Sequence, residues 1–192
     1  YTFVVTEWAF RLANALAALL CVAALYGLGS RWFGGGADFK GSLILLSAFG
    51  FFAMARVVTL DMFFTLWLFL GLLLFYGYYR ERRTLYLYLF YSAMALATLT
   101  KGPVGPLLMG LTVVVFLLWE KKLSFLREMR WAKGLALYFV VTLPWFLIVC
   151  LQEPEFFSFF FIDQHFLRFF TSKHKRSGPL YYFIPVLLGG MF

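Results

Sequence analysis

Charge is what this sequence has least of. Only 14% of its 192 residues are Asp, Glu, Lys or Arg, against roughly 25% in soluble domains. That leaves too little polar surface for an ordinary water-facing globule. Acids are the scarcer sign, nine against seventeen Lys and Arg. Cysteine is nearly absent. Cys21 and Cys150 each sit inside an apolar run, where a thiol packs as a small hydrophobe, and no CxxC or Cys/His spacing marks a structural metal. Neither the Walker nor the dinucleotide glycine spacing occurs, so 29–40, which holds SRWFGGGADFK, reads as a flexible glycine-rich turn and not a phosphate loop. No repeat of solenoid period and no soluble-domain boundary is visible. A net charge of +8 would elsewhere suggest nucleic acid, but here the basic residues fall in short loops between apolar runs, which is a topology signal. No nucleic-acid partner is expected.

What is present is apolar. Hydrophobic residues make up 63% of the chain and 26 of them are phenylalanine. Hydropathy predicts six membrane spans, at 9–28, 41–57, 62–79, 84–100, 103–119 and 134–151, and the start of a seventh near 181. Backbone groups in hydrocarbon must be satisfied within their own segment, so each span is expected to be an α-helix. A barrel would need alternating ten-residue strands, and LWLFLGLLLFYGYY does not alternate. The predicted fold class is therefore all-α, a polytopic transmembrane helix bundle. Loops 29–40, 80–83 and 120–133 hold ten of the seventeen Lys and Arg residues and should mark the cytoplasmic side. Loop 120–133, EKKLSFLREMRWAK, alternates basic and apolar residues and is expected to lie on the inner surface as a short amphipathic helix. The chain opens on Tyr1 without a methionine or charged leader and closes within an apolar run. The expectation is that 1–192 is one portion of a single transmembrane domain in a longer protein.

The outer side has fewer charges in more telling places. Glu7 and Arg11 are four apart and share a helix face. In AMARVVTLDMFF, Arg56 ends one span and Asp61 begins the next. Ionisable groups at helix ends in apolar surroundings face a bundle interior or wet cavity. The two read either as a structural clamp across the turn or as substrate contacts. In LTKGPVGP, Lys101 follows an apolar helix directly and Gly102-Pro103 breaks it and starts another. Lys101 and the positive end of that next helix then face one region, a candidate phosphate site. The alternative is a lysine snorkelling to head groups.

The stretch 153–182 holds both histidines, three carboxylates and four basic residues among repeated phenylalanines. It reads as the roof of a lipid-phosphate site or as an interfacial anchor without chemistry. His165 and Arg168 are three apart and share a helical face. Arg168 could hold a phosphate bidentately, with His165 on a leaving group or a divalent metal. A metal would need further ligands, and His174 is an unpersuasive one. Tyr181 and Tyr182 restart the membrane at its interface.

Together RVVTLD, LTKGPVGP, LPWF at 143–146, QHFLRF and GPLYYFIPVL, with TEWAFRLANALAALL near the start, resemble one family over nearly all of the chain. They are similar to the bacterial glycosyltransferases of the dolichyl-phosphate-mannose protein mannosyltransferase and aminoarabinose transferase type, which have the GT-C fold. The resemblance implies sugar transfer from a polyprenyl-phosphate donor to a lipid, glycan or protein acceptor at the outer face of the bacterial cytoplasmic (inner) membrane. It implies an inverting displacement, with a carboxylate general base in a loop before Tyr1. Lys101 and Arg168 become candidates for carrier-phosphate contacts, and Arg56 and Asp61 for shaping the cavity. His165 matches a family histidine, although Gln164 stands where the family often has glutamate, which weakens a metal site there. The reading from another class is a transporter or flippase for a lipid-linked anion, which would want polar groups at mid-membrane depth and broken helices.

Overall fold

A computed structural model describes residues 7–153, 156, 185 and 188–190. Among the described residues up to 153, seven α-helices follow one another: α1 Glu7–Trp32, α2 Ala37–Ser47, α3 Phe49–Arg56, α4 Asp61–Glu81, α5 Thr84–Lys101, α6 Val104–Trp119 and α7 Trp131–Gln152. A 3-10 turn, Leu123–Glu128, separates the last two. There is no strand among the described residues, as expected where hydrocarbon leaves the backbone no outside partner. The segments Arg11–Trp32, Asp61–Glu81 and Trp131–Gln152 are long and apolar enough to cross a bilayer. The α2–α3 pair qualifies as a fourth, bent span. α5 and α6, 18 and 16 residues long, come to ~27 and ~24 Å at 1.5 Å per residue. They fill the bundle between longer neighbours.

Three expectations change in detail. The span at 41–57 is two helices bent by 61° at Ala48. Ala48 adopts an extended backbone, which interrupts the hydrogen-bond ladder. The turn at 29–40 shrinks to 33–36, where Gly34, Gly35 and Gly36 all take positive φ. α1 runs on to Trp32 because that indole is buried and its Nε1 donates to Glu81 Oε1 at 2.7 Å. Loop 120–133 is not an amphipathic surface helix. Its 3-10 turn drives Phe125 (2% exposed) into the bundle, and Met129 (1% exposed) follows.

α4 is the hub, packed against α1 on one side and α5 and α6 on the other, with α7 lying against α5. The larger core runs along α4 from Phe64 to Tyr78 and is rich in rings: Phe75 and Tyr78 close edge-on around Phe125 with centroids 6.0 and 5.5 Å away. Edge-to-face pairs add ~0.5–1.5 kcal/mol each beyond area burial. The smaller core, Ala17, Ala18 and Cys21 of α1 against Met62 and Leu66 of α4, lies near the start of α4. Buried hydroxyls are used as ties. Tyr78 and Tyr91 donate to the carbonyls of Glu128 and Met129 at 2.8 and 3.0 Å, and Thr98 Oγ1 bonds Tyr138 Oη at 3.0 Å between α5 and α7. Pro144 sits inside α7 without ending it, as membrane helices tolerate.

The α5–α7 contact depends on Gly134. A Cβ there would lie 2.0 Å from the Tyr91 ring, and Tyr91 is fully buried. Gly134→Ala is expected to displace that ring, break its bond to Met129 and lose about 1–3 kcal/mol or more. Thermal unfolding in detergent, compared with an exposed control such as Leu135→Ala, measures the loss.

Candidate functional site

α4 and α5 form an antiparallel hairpin joined by two residues, Arg82 and Arg83. Their near-equal lengths, 21 and 18 residues, bring the first residue of one beside the last residue of the other. Those residues are Asp61 and Lys101. Forty positions apart in sequence, they form an ion pair in which Lys101 Nζ donates to Asp61 Oδ1. Each charge also suits its place, a carboxylate at a helix N-terminus and an ammonium at a helix C-terminus. The Phe64 ring lies beneath, its centroid 5.3 Å from Nζ.

The turn after Lys101 depends on Gly102, whose φ of 76° and ψ of −157° belong to a region only glycine adopts freely. Its N–H closes α5 on Thr98 O at 2.7 Å. Pro103 then caps α6, so the positive end of α6 starts three residues after Lys101. Lys101 ends α5 and α6 begins at Val104, with the Lys101 side chain on the Asp61 carboxylate.

The Arg56–Asp61 clamp is not formed. Arg56 is exposed at the end of α3 and its guanidinium stacks 4.3 Å over the Phe52 ring, while Asp61 is taken by Lys101. The reason lies in the segment between them. Val57 is extended, and Thr59 N–H bonds back to Val57 O at 2.9 Å, so the segment turns tightly between the two helices and does not bring Arg56 to Asp61. What holds that segment is Asn14, a residue the sequence reading passed over. Asn14 is 2% exposed, and its Nδ2 donates to Val57 O at 2.5 Å and Thr59 O at 3.1 Å. The available signal was a lone amide in an otherwise apolar helical face. A buried amide in a span must find partners, and here they are the two loop carbonyls that set up Asp61.

The other candidates are not brought into view. His165, Arg168, Tyr181 and Tyr182 lie outside the described residues, and so does the side chain of Glu7. Among the described residues no three His, Cys, Asp or Glu side chains converge as a metal site would need. The last described turn of α7, at Gln152 and Glu153, leads into the 154–182 stretch.

Asn14→Leu would remove the amide donor from Thr59 O and leave Val57 O with only the Thr59 N–H, at about 1–3 kcal/mol. The expected result is a lower unfolding temperature and faster hydrogen exchange over 57–60, with exchange near Gly134 unchanged. Protection that stays at the native level over 57–60 would remove Asn14 from the site.

Comparison with known proteins gives this geometry a context. Residues 2–148 match the family described as dolichyl-phosphate-mannose-protein mannosyltransferase. The undecaprenyl phosphate-alpha-4-amino-4-deoxy-L-arabinose arabinosyl transferase 1 of Pseudomonas fluorescens is 31% identical over 93% of this chain and 33% of its own length. The corresponding transferase of Shewanella sediminis is 37% identical over 50% of this chain and 17% of its own. The crystal structure of ArnT from Cupriavidus metallidurans bound to undecaprenyl phosphate superposes with a TM-score of 0.91 at 34% identity, covering 98% of this chain and 35% of that one. Its apo state gives 0.84 over 94%. The chain thus spans about a third or less of the length of these relatives. With the family match covering most of its residues, the chain belongs to the dolichyl-phosphate-mannose-protein mannosyltransferase family and has the polytopic GT-C membrane fold.

Proposed function

We propose that this chain is part of a glycosyltransferase that moves a sugar from a polyprenyl-phosphate carrier to an acceptor at the outer face of the bacterial inner membrane. The observation that carries the reading is the close superposition on ArnT bound to undecaprenyl phosphate. The Lys101–Asp61 pair and the start of α6 sit at one end of the bundle, where a lipid-linked phosphate would meet them. That end is opposite the basic loops, which the positive-inside rule assigns to the cytoplasm.

The chemistry follows from charge. A hydroxyl of the lipid, glycan or protein acceptor attacks the anomeric carbon while the bond from that carbon to the carrier oxygen breaks. The carrier phosphate leaves with the electron pair and gains negative charge, and the hydroxyl proton passes to a carboxylate base. Lys101 meets the developing charge on the phosphate, a role that requires a fixed cation in a site of low polarity. Asp61 holds the ammonium in place before the carrier arrives, and the incoming phosphate competes with it for Nζ. Asp61 is therefore a positioning residue and not the base. Arg168 and His165 would close the phosphate from the 153–182 side, Arg56 would flank it, and Tyr181 and Tyr182 would mark the interface.

One feature favours a transporter or flippase for a lipid-linked anion: the 61° break between α2 and α3. Broken helices often frame transport sites. Here the residues around the break, Ser47, Ala48 and Phe49, carry no charge to bind an anion.

The decisive experiment uses the full-length protein in proteoliposomes with radiolabelled undecaprenyl-phosphate sugars. Lys101→Ala is expected to lower transfer by about 10²–10³-fold. Stability should change by about 1 kcal/mol or less, since a partly exposed ion pair contributes little. Asp61→Asn should reduce transfer less, through poorer placement of Lys101, and the apparent carrier affinity should not fall, because the competing carboxylate is gone. Carrier crossing the bilayer without release of undecaprenyl phosphate would sink the transferase reading in favour of the transporter.

A further inference from the structure

The end of the bundle opposite Asp61 holds a cavity of about 440 Å³. Small-ligand sites commonly span ~300–1,000 Å³. Two walls are aromatic: Tyr79 of α4 and Phe116 of α6 meet edge-on with centroids 5.2 Å apart, and Tyr76 closes the same side. The rim carries three cations, Arg80, Arg82 and Lys122, against one carboxylate, Glu120. The cations are not equivalent. Arg82 is committed to an ion pair with Glu128 and stacks 4.3 Å over Phe125. Arg80 is exposed at the last turn of α4, with no ion pair among the described residues. Lys122 is held by a hydroxyl and not by a carboxylate. Its Nζ donates to Tyr79 Oη at 2.9 Å, and Tyr79 Oη donates onward to Glu120 Oε2 at 3.0 Å. The bond that Lys122 donates to Tyr79 favours the ammonium form and raises the Lys122 pKa above its ordinary value.

The backbone bears the same mark. α6 ends with Lys122 N–H on Leu117 O at 2.9 Å and Lys121 N–H on Leu118 O at 3.0 Å, a Schellman arrangement whose left-handed position is normally glycine. Here that position is Lys121, at φ 54°. Arg82 at φ 58° and Arg130 at φ 46° complete the set, so each non-glycine residue with positive φ among the described residues is basic and lies at this end. Strained positions persist where the side chain is needed. Orientation in the membrane asks only for positive loops and not for a cavity whose walls aim two cations at one opening.

We propose that this cavity binds a phosphate group at the membrane surface, with Arg80 and Lys122 as its cations and Tyr79 orienting Lys122. The source is the head group of an anionic phospholipid of the adjacent leaflet or a soluble phosphate of the same chemistry. The 21-residue α4 separates the cavity from Asp61 by ~30 Å, so the assignment stands apart from the transfer site.

The test uses the purified full-length protein with phosphatidylglycerol, phosphatidylcholine or radiolabelled inorganic phosphate. Native mass spectrometry counts bound lipid, and equilibrium dialysis counts bound phosphate. The variant Arg80→Gln/Lys122→Gln is compared with Arg127→Gln/Lys133→Gln, which removes the same charge from exposed positions away from the cavity. The cavity variant is expected to lose phosphatidylglycerol binding by about tenfold or more, the control by less than about twofold, with phosphatidylcholine unaffected. Tyr79→Phe, which frees Lys122 without removing charge, should give a smaller loss in the same direction. The same pattern with inorganic phosphate alone would support a soluble source. Equal losses in both double variants, or no loss with either probe, would overturn the assignment. Thermal melting of each variant establishes that the losses are not unfolding.

Discussion

Hydrocarbon offers a backbone no hydrogen-bond partners, and the rest of this structure follows from that constraint. It forces each span into a helix and leaves the apolar side chains to pack ring against ring. It also confines charge to helix ends, where water and head groups begin. Both candidate sites of this chain are therefore built where helices stop. The Lys101–Asp61 pair closes one end of the α4–α5 hairpin, and the Arg80–Lys122 cavity lies near the other end of α4.

The two ends solve the same problem with different chemistry. At the Asp61 end, Lys101 is paired with Asp61, and on the proposed reading an incoming phosphate competes with that carboxylate for the cation. At the basic end, Arg82 is neutralised by Glu128 while Lys122 is anchored by a tyrosine hydroxyl. The first arrangement suits a substrate that must arrive and leave, because the lysine always has a partner. The second suits a longer-lived anion. Between them, the ring-filled core around Phe75 and Phe125 keeps the helices at fixed spacing, and the buried hydroxyls of Tyr78 and Tyr91 tie the 3-10 turn and Met129 into it.

Much of the site was legible in the chain. LTKGPVGP announces a helix end, a glycine-only turn and a proline-started helix, and all three appear. Asp61 stood out in the chain as a charge at a helix start, but its partner was not legible. Sequence proximity pointed to Arg56, five residues away, whereas the hairpin delivers Lys101 from forty residues away. Asn14 was missed because one amide in an apolar helix looks incidental until its two carbonyl partners, from a segment more than forty residues on, are seen. Loop 120–133 misled for a related reason. Alternating basic and apolar residues suit a surface helix, but Phe125 packs against Phe75 and Tyr78 of α4 and Met129 is buried, while Leu123 and Trp131 stay exposed.

Composition and hydropathy alone determined that this is an α-helical membrane bundle, because 63% hydrophobic residues in long runs have no other stable form. They also determined where charge could sit, since ionisable groups are expelled from mid-span. Which charges meet was decided only by the tertiary structure. Pairing across the bundle depends on helix lengths, the break at Ala48 and the close approach at Gly134, quantities set by packing between segments far apart in the chain. Local sequence carries no record of those distances.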